Sequence, residues 1–293
     1  MAKPRELRRR IRSVESTRKI TKTMELVATS KLKRAQDRVV AARPYAQALA
    51  EVLGDLYAPD LAERFPLLRR PVPGARRTAL LLITSNRGLC GAFNANLIRE
   101  ARRRLEELEG QGATVELHLV GKKGIAFFRF ARRAIASQRM DIGDKPTPGH
   151  AQELAAPLME RFARGDLDRV EVVFAHFRSA VSTPPTVLSV LPISPPGAEG
   201  RRGGRAAGAY ILRPSPTEIL SRLLPLYVTN QIYRALVETA AAEQGARRTA
   251  MKNATDNAGE MLDILRRTYN RARQAQITQE IAEIVGGAEA LKG

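Results

Sequence analysis

The 293-residue chain contains no tryptophan, one cysteine and three histidines. A single thiol, Cys90, rules out an internal disulfide framework and fits a reducing compartment. His118, His150, His176 and Cys90 show none of the paired spacings of zinc sites, so no metal is expected. Aromatic residues make up 5% of the chain, so a core must be built from Leu, Ile, Val and Ala, a palette that suits helix packing. No apolar run approaches the roughly 18 residues of a membrane span, and the basic start lacks the hydrophobic stretch of a secretory signal. The expectation is a soluble protein or one peripheral to a membrane. The length allows one sizeable core plus something extended, or two small domains.

Positive charge is in excess, at +19, and unevenly placed. Residues 1–50 hold fourteen Lys or Arg against four acids, whereas residues 216–293 hold ten against nine. Such a field implies an acidic partner: nucleic acid, a membrane surface or acidic protein loops.

From Arg5 to Leu53 there is no glycine and one proline, Pro44. Alternate steps of four and three give Leu7, Ile11, Val14, Arg18, Thr21, Glu25, Ala28, Leu32, Ala35, Val39, Ala42, Ala46, Leu49 and Leu53. This seam has a period near 3.5 and a polar interruption at Arg18, Thr21 and Glu25. The first segment, 1–56, is therefore expected to be one long helix closed by Gly54 and the proline-rich stretch 66–74. Short apolar runs at 78–84, 115–120, 170–177 and 185–191 alternate with helical stretches at 94–109, 122–136 and 152–164. That alternation predicts a small α/β domain, 75–212, with a largely parallel sheet. Residues 194–208, rich in Pro, Gly and Arg, read as a flexible excursion. The third segment, 213–293, is helical again, with Pro216 in the first turn, a kink or restart at Pro225, and an end at Gly286 and Gly287. Met261, Leu265, Thr268, Ala272 and Ala275 continue a 3.5-like spacing, and Ile277, Ile281 and Ile284 mark a second stripe. A domain inserted between two long helices makes them return past each other. The predicted fold is an antiparallel, left-handed coiled coil of the terminal helices with an inserted Rossmann-like α/β domain, a rod with a globule at one end.

Candidate chemistry is sparse. Ser85-Asn86-Arg87-Gly88-Leu89-Cys90-Gly91 follows a strand and precedes a helix, where phosphate loops occur, yet it carries neither G-x-x-x-x-G-K-[ST] nor G-x-G-x-x-G. A tight structural turn is the preferred reading. No motif links Cys90 to a histidine, so a buried structural thiol is favoured over a nucleophile. Glu106 and Glu107 sit among arginines, as on a solvated helix face. Arg201-Arg202-Gly203-Gly204-Arg205 is a single short basic copy without aromatics, read as a charged loop rather than an RNA-binding segment. The basic front is not laid out like a zipper-type DNA binder, which would place its zipper directly after the basic region. A basic nucleic-acid-binding coiled-coil protein stands as the alternative.

Several segments together resemble the γ subunits of F-type ATP synthases. They are Ile11-Arg12-Ser13-Val14, the run from Thr17-Arg18-Lys19-Ile20 through Met24-Glu25-Leu26-Val27-Ala28, Ser30-Lys31-Leu32, and Arg43-Pro44-Tyr45. In the centre lies Asn86-Arg87-Gly88-Leu89-Cys90-Gly91, and near the end lie Met251-Lys252-Asn253-Ala254-Thr255-Asp256-Asn257 and the stretch from Asn270-Arg271-Ala272-Arg273 to Gln279-Glu280. Motifs at both ends and in the middle, in order, cover almost the whole chain.

The resemblance implies a rotating shaft inside a ring of alternating α and β subunits, with the globular domain meeting the ε subunit and the membrane c-ring. Proton or sodium flow would drive it. It would have no catalytic residues, cofactor or metal of its own, the nucleotides would be bound by other subunits, and no nucleic acid is expected as partner. Carried over by position, Arg18, Lys19 and Met24 would face acidic loops of β, and Arg247, Gln274, Thr278 and Glu280 would make polar contacts to β. Arg248 stands where the family often has methionine. The loop at 194–208 has no cysteine, so the thiol switch of some chloroplast relatives has no counterpart there. The start of the chain, directly in the family's first helix, implies a bacterial protein peripheral to the cytoplasmic face of the inner membrane.

Overall fold

A computed structural model describes residues 4–56, 64–69, 76–194 and 215–290. Apart from Ser194, the loop predicted at 194–208 lies outside these described residues. The ordered elements run α1 (Pro4–Leu56), β1 (Arg77–Ile83), α2 (Phe93–Gly110), β2 (Thr114–Val120), α3 (Lys122–Phe130), β3 (Ser137–Arg139), α4 (Pro148–Arg164), β4 (Arg169–Ala175), β5 (Pro185–Leu191) and α5 (Pro216–Ala290). Long helices at both ends of the chain flank a sheet, as the sequence predicts, and the sheet has a fifth strand, β3, beyond the four runs read from the sequence.

Helix α1 begins with Pro4, whose missing N–H costs nothing in a first turn, and places Glu6 near the positive end of its dipole. The 4-3 seam is real: every member is buried or half-buried except Arg18. Gly54 does not close the helix, which runs to Leu56, and Gly286 and Gly287 do not end α5. Neither of the last two glycines has the positive φ that a helix-ending cap requires, so each is merely a weak helix former, about 1 kcal/mol worse than alanine. Helix α5 also continues across Pro225.

The strands are ordered β3-β2-β1-β4-β5, with β3, β2, β1 and β4 parallel and β5 antiparallel at the edge. Alternation along β1 divides the core. Ala79, Leu81 and Ile83 face Leu154, Phe162, Leu49, Leu53 and Leu220 on one side. Leu80 and Leu82 face Leu97, Phe128, Leu32 and Val237 on the other. The stretch 122–136, expected as one helix, stops at Phe130. Arg132 turns it with a φ of 54°, Arg133 donates its N–H back to the Phe128 carbonyl, and the chain enters β3.

The chain divides into two compact units, one of Met1–Ala28 with Arg248–Gly293 and one of Thr29–Arg247. In the first, Thr21 bonds Thr255 and Glu15 pairs with Arg266, so the index falls on one helix as it rises on the other and the pair is antiparallel. Its α5 seam runs through Met251, Thr255, Ala258 and Leu262, a strict 4-3 progression. Met261, expected on the seam, lies one position off it and is exposed. The second unit holds the sheet with the remaining parts of α1 and α5.

Leu53 is fully buried in the core on one face of the sheet. Leu53→Ala is expected to destabilise the chain by about 2–5 kcal/mol, visible as a lower midpoint in thermal or urea unfolding.

Candidate partner-binding surface

In the helical unit, the polar interruption of the seam is filled from within. Thr21 Oγ1 accepts from Thr255 Oγ1 at 2.8 Å, and Thr255 is itself buried. Glu25 is paired with Lys22 at 3.2 Å. Arg18 lies across Gly259, with its guanidinium carbon 3.8 Å from where a side chain would begin. Arg18 and Lys19 are exposed, and Met24 is half-buried. Their neighbours Ile20, Leu26 and Val27 are exposed apolar side chains. This stretch of α1 therefore carries both positive charge and exposed apolar side chains.

The pairing also has an end. Extrapolating the Glu15–Arg266 alignment, the start of α1 comes opposite residues near 273–277, and every described side chain from 273 to 288 is exposed. Ile277, Ile281, Ile284 and Val285 make an apolar stripe there, with Ile284 71% exposed. Gln274, Thr278 and Glu280 share this segment. Thr278 bonds the Gln274 carbonyl at 3.0 Å, and Glu280 accepts from Gln276 at 2.8 Å. Arg18, Lys19 and Met24 thus lie within about two turns of α1, and Gln274, Thr278 and Glu280 within about two turns of α5.

Arg247 belongs to neither group. It lies in the sheet-bearing unit, 9% exposed, donating to Glu243 Oε1 at 2.6 Å and to the Gly88 carbonyl at 3.2 Å. The spacing of 243 and 247 was legible as a helical ion pair, whereas its burial was not. Its setting is the carboxyl end of the parallel strands, the crevice in which doubly wound folds hold ligands. Here the chain's own helices fill most of it. Lys31 of α1 pairs with Asp144 at 2.5 Å and Arg38 donates to the Asp144 carbonyl. On α5, Thr239 accepts from Ala175 N, Glu238 accepts from Phe177 N, and Gly245 admits the Ala180 carbonyl, which would lie 3.0 Å from a Cβ.

The 85–91 segment behaves as the tight turn read from the sequence. Asn86 Nδ2 donates to the carbonyls of Met140 and Ile142, while Asn86 Oδ1 accepts from Lys122 N. Thr84 Oγ1 accepts from Gly124 N, and Gly121, with φ 97°, leaves room for the Thr84 carbonyl, 2.1 Å from any Cβ. The first N–H groups of α3 are thereby occupied by the segment that follows β1. Burial pushes the Cys90 thiol up, and Asn94 Nδ2 lies 3.2 Å from its sulfur. Burial pushes His118 down, His150 closes the capping box of α4 with Thr147, and His176 pairs with Glu238. Among the described residues no group of three or more His, Cys, Asp or Glu could hold a metal. Glu106 and Glu107 form a surface ladder with Arg102, Arg103 and Arg104.

Burial raises the Glu243 carboxyl above its ordinary range, and the Arg247 guanidinium pulls it back. A carboxyl raised in the folded state favours folding while protonated and opposes it as pH climbs past its unfolded value. Arg247→Ala leaves that carboxylate buried and unpaired, so the expected loss is about 3–5 kcal/mol near pH 8 and smaller near pH 5, where Glu243 can take up a proton. Urea unfolding at both pH values measures the difference.

A family model described as ATP synthase matches residues 3–291. The chain is 64% identical over 293 residues to an ATP synthase gamma chain of Gemmatimonas aurantiaca, covering all of both chains. It is 47% identical over 292 residues to that of Moorella thermoacetica, again covering all of both. In fold it is similar to a chain of the mitochondrial ATP synthase rotor of Euglena gracilis, at TM-score 0.65 and 21% identity over 94% of this chain and 98% of that one. A chain of the central stalk and c-ring structure of the Tetrahymena thermophila mitochondrial enzyme gives TM-score 0.62 and 23% identity over 80% and 99%. With near-complete sequence coverage at this identity, and with long terminal helices flanking a five-stranded sheet, the chain belongs to the ATP synthase gamma chain family.

Proposed function

We propose that this chain is the central shaft of an F-type ATP synthase, turning inside a ring of α and β subunits and carrying ion-driven rotation to the β nucleotide sites without catalysing any step itself. Its remaining partners are the ε subunit and the membrane c-ring. It works as a peripheral protein on the cytoplasmic side of a bacterial inner membrane, and no helix among the described residues is long and apolar enough to cross one. The observation that carries this reading is the end of α5, where an exposed stripe of Ile277, Ile281, Ile284 and Val285 extends past the helix pair. An uncovered apolar stripe of that kind marks a protein contact, and a surrounding sleeve supplies one. Family membership supports the same assignment.

Within this reading Arg18, Lys19 and Met24 meet acidic loops of β, and Gln274, Thr278 and Glu280 make the polar contacts near the tip. Arg247 joins them only by exchanging its bonds to Glu243 and Gly88. Exposed charge against mobile acidic loops attracts without interlocking, which suits a surface that must slide.

Co-expression with α and β from the same organism, followed by size exclusion and ATPase assay, tests the assignment. An active complex that requires this chain is expected, and an unassociated chain that instead binds DNA or RNA tightly and salt-sensitively would overturn it. In the assembled enzyme, Arg18→Glu with Lys19→Glu is expected to lower ion pumping per ATP hydrolysed several-fold, because like charges facing each other cost several kcal/mol. Unchanged coupling would remove these two residues from the contact. Ile281→Ser with Ile284→Ser is expected to weaken assembly, by about 1.5–3 kcal/mol for each side chain that the ring fully buries.

A further inference from the structure

The crevice at the carboxyl ends of β1 and β2 is not completely filled by α5. A cavity of about 580 Å³ remains, within the range of small-molecule sites, with Ile83, Val120 and Ile142 among its apolar lining residues. Its charged lining is asymmetric in its pairing. Each acid is matched to a cation outside the lining: Asp141 to Arg139 at 2.6 Å, Asp144 to Lys31 at 2.5 Å and Glu243 to Arg247 at 2.6 Å. The Arg139 guanidinium holds the Asp141 carboxyl down to about 2, so that acid keeps its charge and its partner at neutral pH. The cations of the lining are in the opposite condition. Arg87, Lys122 and Lys145 have no hydrogen-bond or ion-pair partner for their side chains among the described residues.

Three uncompensated cations around one cavity, with its acids already neutralised, leave a local excess of positive charge. Solvated lysines and arginines are common on a surface of this net charge. What separates these three is that, though exposed, they line a single concavity at the position where the fold type binds ligands. We propose that this cavity binds a small phosphate-bearing anion, with its charged groups against Arg87, Lys122 and Lys145 and any nonpolar portion against Ile83, Val120 and Ile142. The turn 85–91 then has a role beyond packing, since it presents Arg87 to the ligand. Contacts come from side chains and not from the start of α3, whose N–H groups are held by Thr84, Ser85 and Asn86. This site is independent of the rotor assignment and involves no step of ATP synthesis.

The test uses the full-length chain, without metal ions, titrated by calorimetry with inorganic pyrophosphate and separately with ADP. Two triple variants are compared: Arg87→Gln, Lys122→Gln, Lys145→Gln, and a charge-matched control, Arg8→Gln, Arg9→Gln, Arg12→Gln, on exposed positions of α1. The altered cavity side chains make no internal bonds, so thermal melts of that variant should match the parent. One saturable site is expected, weakened at least about tenfold by the cavity variant and unchanged in the control. Tighter binding of ADP than of pyrophosphate would identify a ligand with an organic portion, and equal binding an inorganic one; either supports the site. Absence of saturable binding, equal weakening by the two variants, or binding unaffected by the cavity variant would overturn it.

Discussion

Burial of one narrow stripe on α1 against one narrow stripe on α5 is the interaction on which the rest depends. A seam of Leu, Ala and Val with polar flanks is only one or two side chains wide, so each residue along it contributes little and their regular repetition contributes the stability. A helix carrying such a seam cannot stand alone in water. Two of them, contributed by opposite ends of one chain, satisfy each other. Within the sheet-bearing unit the same two helices contribute to both faces of the hydrophobic core, where Leu49 and Leu53 join one cluster and Leu32, Ala35 and Val39 the other.

Polar groups set the register that apolar packing leaves loose. Thr21 against Thr255 fixes one rung of the helix pair. In the other unit, Glu238, Thr239, Glu243 and Arg247 occupy successive turns of a stretch of α5 that is buried nearly all round. Glu238 accepts from Phe177 N, Thr239 accepts from Ala175 N and Arg247 donates to the Gly88 carbonyl, and sliding the helix by one residue would break these bonds at once, whereas the Glu243–Arg247 pair lies within α5 and moves with it. Such groups add little net stability compared with well-packed apolar side chains, but they penalise misplacement heavily. For a part that must hold its shape under load, a costly slip matters more than a few kcal/mol of stability.

Much of this was legible in the sequence, for physical reasons that also explain the gaps. The α1 seam could be read because one side is wet, which leaves a clean 4-3 alternation from Leu7 to Leu53. The stretch 235–245 of α5 could not, because burial on every side removes the periodicity that marks a face. Strand β3 was missed because Ser137, Gln138 and Arg139 carry no strand preference. They are extended because β2 offers them a parallel edge at His118, Leu119 and Val120. The 85–91 turn was identified by its glycines, but the carbonyls that Asn86 reaches, 54 and 56 residues away, have no sequence signal. Met261 was placed on the seam by a stripe begun one residue early, and Leu262 occupies that position. The exposed site residues could be named only by likeness to a family, since an exposed Arg18 and an exposed Arg12 look alike to any periodicity argument.

Rotation is the central claim, and it can be watched directly. In a complex of this chain with its α and β subunits fixed to a surface through the ring, a bead attached to the exposed Phe130 position at the end of α3, changed to a reactive cysteine with Cys90 replaced by serine, reports the angle of the sheet-bearing unit. Unidirectional, stepwise turning is expected when ATP is added, stopping when it is removed. Sustained ATP hydrolysis with the bead fluctuating about one fixed angle would contradict it.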